Sequence, residues 1–182
     1  MSSSSAPAGA SARPVLSAIG LGAFAIGVTE FMPMGLLPAI AEGLQVGIPA
    51  AGQLVTAYAA GVMIAAPIMT LGLARFGGRR ALLAAMAIYV LGSILSTLAP
   101  EYWSLMAGRI VASACQGAFF GFAAVVAISV VPPERHASAV ATMFMGISIA
   151  NIGGVPAAAW MGETLGWRAA FAATVALGLA AL

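Results

Sequence analysis

The sequence predicts an all-α polytopic membrane protein, and three observations carry that prediction. Hydrophobic residues make up 62% of the 182-residue chain and charged residues only 7%, where a soluble domain has roughly a quarter charged. Apolar runs long enough to cross a bilayer recur along the chain, and the mean hydropathy is +1.07. Between two of these runs sits the short basic turn Ala74-Arg75-Phe76-Gly77-Gly78-Arg79-Arg80, the kind of loop that marks the cytoplasmic side.

Residues 1–14 open the chain. They are rich in Ser, Ala and Gly and hold no basic residue before Arg13, unlike the charged start of a secretory signal. They read as a disordered cytoplasmic tail.

A bilayer core needs about 20 mostly apolar residues as helix. Five segments meet this, at residues 15–40, 51–73, 81–98, 103–131 and 137–160. A sixth runs from 168 and is still apolar at 182, after only about 21 Å of helix. It reads as an incomplete span, and the chain as the front part of something longer.

The arginines set an orientation. With the N-terminus inside, the cytoplasmic segments carry Arg13, Arg75, Arg79, Arg80 and Arg135, against Arg168 alone outside. Tyr102, Trp103, Trp160 and Trp167 fall where interfacial aromatic anchors belong. Gly77-Gly78-Arg79-Arg80-Ala81 after the second span echoes Leu165-Gly166-Trp167-Arg168-Ala169 after the fifth, as inverted repeats of three helices would produce.

Two ionisable residues lie inside spans, where charge costs a few kcal/mol and must face a protein interior. Glu30 in the first and Arg109 in the fourth sit about 12 to 15 Å and about 9 Å from the outer surface, near enough to pair. Arg109, Ser113 and Gln116 share one helical face by spacing, so that face is expected to line a cavity. Tyr58 and Asn151 fall near the same level. Gly117 and Gly121 have the spacing of a close helix contact, and Gly154 with Pro156 marks a weak point in the fifth span. Cys115 and the ten methionines read as packing residues and His136 as a solvated loop residue, so no metal site and no cofactor are expected. The net charge of +2 comes from loops and gives no support to nucleic-acid binding. Nor does an intramembrane serine protease fit, because Ser113 lies in Ala112-Ser113-Ala114 and the one histidine is in a loop.

These residues resemble the major facilitator superfamily, in its twelve-helix drug:proton antiporter branch near the arabinose efflux permeases. Thr29-Glu30-Phe31-Met32-Pro33-Met34-Gly35-Leu36-Leu37-Pro38 is similar to that branch's acidic first-helix motif. Arg75-Phe76-Gly77-Gly78-Arg79-Arg80 resembles the superfamily's signature after helix two, although Ala74 stands where the family has an acid and Thr70 where it has a glycine. Arg109 with Gln116-Gly117-Ala118-Phe119-Phe120-Gly121 resembles the fourth-helix motif, Gly154-Val155-Pro156 a degenerate fifth-helix antiporter motif, and Gly166-Trp167-Arg168-Ala169-Ala170-Phe171 the start of helix six.

The resemblance implies the N-terminal six-helix bundle of the major facilitator fold, with its sixth helix truncated and the C-terminal six-helix half missing. It implies a multi-pass protein of the bacterial inner membrane that is no enzyme and moves small molecules by alternating access, with the proton gradient as energy source. Its partners would be a small-molecule substrate, the proton and the lipid bilayer. Glu30 and Arg109 would couple the proton, Tyr58, Ser113, Gln116 and Asn151 line the substrate cavity, Arg75, Gly77, Arg79 and Arg80 gate the cytoplasmic side, and Gly154 and Pro156 bend a helix. Export is the favoured direction, with uptake of a sugar, amino acid or nucleoside as one alternative and an inactive fragment as another.

Overall fold

The computed structural model describes residues 9–182. It is all-α, with helices over Gly9–Leu44, Ile48–Ala74, Gly78–Thr97, Tyr102–Ser129, Pro133–Leu165 and Trp167–Ala181. The first five are long and apolar enough to cross a membrane, and the sixth is 15 residues. This is the expected six-helix, half-bundle architecture with a shorter last helix.

The helix ends differ from hydropathy in a consistent way. The first begins at Gly9, so the part of the expected tail that the structure describes is helical and already buries Ala12; residues 1–8 of that tail lie outside the described residues. The fifth continues past 160 to Leu165 through the exposed Glu163 and Thr164. Polar residues in a terminal turn lower the hydropathy without stopping the helix.

Two connections are closed by glycine in a conformation other residues resist. Gly77 (φ 77°, ψ 154°) starts the third helix and Gly166 (φ 87°, ψ 150°) the sixth, both near a region that is essentially glycine-only. The echo seen in sequence therefore holds, but one residue out of the expected register: Gly77, not Gly78, is the counterpart of Gly166. In the corrected register Ala81 faces Ala170 as its equivalent, and both are fully buried.

Packing follows the same pseudo-symmetry. The second helix packs on the fourth as the fifth packs on the first, the third on the fourth as the sixth on the first, and the third meets the sixth. Small residues set these crossings. Gly92 lies against Ala112, Gly146 against the Gly20 carbonyl, Gly117 against Ala66, and Gly178 against the Tyr89 ring. Gly121, expected to share the contact of Gly117, has open space in front of it.

The second and fifth helices are the least covered, with 17% and 22% of their apolar windows buried against 39% to 50% in the other three long ones. Two spans are irregular. The fourth is briefly interrupted at Cys115, and the fifth widens into a π-helical turn at Ala150–Gly154 just before Pro156. Proline has no N–H and its ring crowds the carbonyl four residues back; a widened turn relieves both.

Candidate functional site

Glu30 and Arg109, charges in the interiors of the first and fourth helices, converge where the first, second and fourth helices meet. Arg109 is fully buried on the fourth helix. Its Nη1 donates to the main-chain carbonyl of Thr29 on the first, and its guanidinium lies 4.2 Å from the centre of the Tyr58 ring on the second. A desolvated contact of that kind is worth up to about 2 kcal/mol. Arg109 Nε and Nη2 and the Tyr58 hydroxyl, all buried, have no partner among the described residues.

Glu30, half-buried, accepts a hydrogen bond of 2.9 Å from Gln116 Nε2 across the first and fourth helices. The other amide atom, Gln116 Oε1, is buried and unpartnered. The structure thus brings Glu30, Arg109, Tyr58 and Gln116 together. Among the described residues the two charges do not form the expected ion pair. Each has taken a neutral partner instead, Glu30 the Gln116 amide and Arg109 the carbonyl one residue before Glu30.

Ser113 and Asn151 are hydrogen-bonded within their own helices. Ser113 donates to Ile110 O (2.8 Å) on its own helix and is pressed against Gly61. Asn151 is exposed within the π-helical turn and donates to Ile147 O (3.1 Å), also on its own helix. Two open cavities are lined by other side chains. One, of about 560 Å³, lies between Gly35, Glu42, Glu163 and Trp167, and the other, of about 710 Å³, between Ile19, Arg79, Leu82 and Val126.

Arg75, Arg79 and Arg80 are exposed around the Gly77 turn, with Arg75 over the Phe76 ring at 4.8 Å. Gly154 abuts Phe24 and Val28 of the first helix, while Pro156 is exposed.

Sequence reasoning missed a second polar cluster. Tyr89, fully buried on the third helix, lies 2.6 Å from Thr29 Oγ1 and 2.9 Å from the Ala25 carbonyl. A phenol has one proton to give, so the consistent assignment is Thr29 donating to Tyr89 and Tyr89 donating to Ala25. A tyrosine in the middle of an apolar span was the available signal, since its hydroxyl must find a partner there.

A sequence profile of the Major Facilitator Superfamily matches residues 19–182. The chain is 60% identical, over 90% of its length, to the inner membrane transport protein YdhP of Escherichia coli K12, covering 42% of that protein. It is 34% identical over 81% of its length to the chloramphenicol resistance protein of Streptomyces lividans, and 32% over 89% to a probable sugar efflux transporter of Pasteurella multocida, covering 38% and 41% of them. The chain spans about two fifths of the length of the curated relatives it matches.

Proposed function

This chain belongs to the Major Facilitator Superfamily, and from that premise we propose that it forms the N-terminal half of a proton-coupled exporter of small molecules in a bacterial inner membrane, its N-terminus cytoplasmic. A second six-helix half would pack over the sparsely covered second and fifth helices and complete a midplane cavity for alternating access.

The observation that carries this reading is the Glu30–Gln116 hydrogen bond beside buried Arg109. A carboxyl at membrane depth is a proton-carrier candidate, and a carboxamide is a partner that serves both of its forms. Ionised Glu30 can accept from the amide N–H, and protonated Glu30 would donate to Gln116 Oε1, which is otherwise idle. Protonation would change what Glu30 offers Arg109, and so bias the bundle between outward- and inward-open states. The relatives named for chloramphenicol resistance and sugar efflux support export as the direction.

The test uses the intact protein in everted membrane vesicles, with labelled chloramphenicol and a labelled sugar as probes. Acidifying the vesicle interior should drive accumulation of a transported probe, and Glu30→Gln should abolish it with the protein still folded and inserted. Undiminished accumulation by Glu30→Gln would overturn the assignment; probe movement out of the vesicles under the same gradient would indicate uptake.

A further inference from the structure

Thr29 is in the interior of the first helix, yet its carbonyl is free to accept from a residue on another helix. The cause is four residues further on. The N–H that would close this turn belongs to position 33, which is proline, and proline has none to give while its ring pushes the carbonyl at i−4 off the axis. Two other prolines inside helices have the same local effect, Pro38 on Met34 and Pro67 on Met63. Those residues are 53% and 73% exposed, whereas Thr29 is 1% exposed. Thr29 alone of these three is buried, where a main-chain oxygen must find a partner.

Arg109 supplies that partner. In the same turn, the Thr29 hydroxyl and the Ala25 carbonyl are both held by Tyr89 of the third helix. The turn that Pro33 opens is therefore braced by Tyr89 while its carbonyl is presented to Arg109.

We propose that Pro33 is a positioning residue: by removing the helical donor from the Thr29 carbonyl it creates a main-chain berth for Arg109 one residue from Glu30. The guanidinium then has two stations, this carbonyl and the Glu30 carboxylate, and exchanges between them as Glu30 gains and loses its proton. With Glu30 protonated, the carbonyl holds the cation so that it is never left bare in a dry interior, where an unpaired charge is costly. With Glu30 ionised, the carboxylate competes for it. The ionisable groups packed around this point are Arg109 and Cys115 on the fourth helix, Tyr58 on the second and Tyr89 on the third; residues 137–162 and 169–182 contain none. The exchange rests on Glu30 as the proton carrier, but its test reads only which group Arg109 touches.

The intact protein is reconstituted in lipid with guanidino-15N arginine and either carbonyl-13C threonine or δ-13C glutamate, and dipolar dephasing is measured by solid-state NMR. Subtraction of Arg109→Gln and Glu30→Gln spectra isolates the relevant pairs. In the wild type the arginine–threonine contact should dominate at acid pH and yield to an arginine–glutamate contact as pH rises. Pro33→Ala restores the N–H, so the arginine–threonine contact should be lost and the arginine–glutamate contact should persist into acid. Pro33→Val restores the same N–H and should behave alike. An arginine–threonine contact that survives both substitutions, or contacts in the wild type that do not change with pH, would overturn the proposal. Because no transported solute is involved, failure of the vesicle experiment would leave this result standing, and the reverse.

Discussion

Gly77 and Gly166, 89 residues apart in sequence, hold nearly the same backbone conformation, with φ of 77° and 87° and ψ of 154° and 150°. They launch the third and sixth helices, which pack against each other. One is followed by basic residues exposed at a loop, and the other by Trp167, packed at 5.7 Å edge-on to Phe171. What is common to the two turns is the dihedral angle.

Gly77→Ala and Gly166→Ala should each destabilise the protein by about 1 to 3 kcal/mol, the usual range for forcing a side chain into such a region. Gly72→Ala is the control: it sits within the second helix with open space at its Cβ position, and alanine there should be neutral or mildly stabilising. Thermal unfolding in detergent, followed by size-exclusion of the soluble fraction, distinguishes these outcomes.

Tyr89→Phe removes the hydroxyl that bridges the third helix to the Ala25–Thr29 turn and leaves a buried threonine hydroxyl and a carbonyl to re-pair. The cost should be about 1 to 3 kcal/mol. Thr29→Val should cost less in the Tyr89→Phe background than in the wild type, since the bond is already gone. Equal costs in both backgrounds would show that the two hydroxyls are not coupled.

Gln116→Leu deprives Glu30 of the amide that can serve both of its protonation states. A hydrogen bond to a charged group is worth about 1.5 to 3 kcal/mol, so proton-driven accumulation of a transported probe should fall about tenfold or more. Ser113→Ala, which changes a hydroxyl bonded to its own helix, should leave accumulation close to the wild type. The contrast between these two neighbours on the fourth helix is what the vesicle assay reads.

Gly146→Leu should block assembly rather than tune activity. A Cβ at Gly146 already meets the Gly20 carbonyl and the Ala23 Cβ, so a branched side chain would push the fifth helix off the first. Loss of the monodisperse peak in fluorescence-detected chromatography, with Gly153→Leu unaffected because it faces open space, is the expected pattern.

The spans were legible because hydropathy reports burial in lipid and protein alike, and Glu30 and Arg109 stood out because charge at membrane depth is rare. What the sequence withheld was azimuth. Counting rise per residue places Glu30 and Arg109 at neighbouring levels, near enough to pair, but does not say which way each points; the structure gives them a carbonyl and an amide as partners. Arg109 and Gln116 of the fourth-helix stripe both turn to the first helix, at Thr29 and Glu30. Gln116 reaches Glu30, and Ser113 turns inward against Gly61. The Thr29 carbonyl was recoverable in principle, from the rule that a proline frees the oxygen four residues before it.

The π-helical turn at Ala150–Gly154 gives the fifth helix a tolerance that no other part of its interior has. Removing one residue from a regular helix rotates everything beyond it by about 100° and would carry Ala158 and Gly162 away from the faces they bury. A π turn already holds one residue more than the α register requires, so deleting Gly153 there would restore that register without turning the flanks against each other. Pro156 is what opposes the deletion, because a regular turn would set its ring against the carbonyl four residues back. Alanine at position 156 would lift that obstacle. Length variation in this helix is therefore tied to the presence or absence of a single proline, and a shortened fifth helix lacking that ring could still dock on the first.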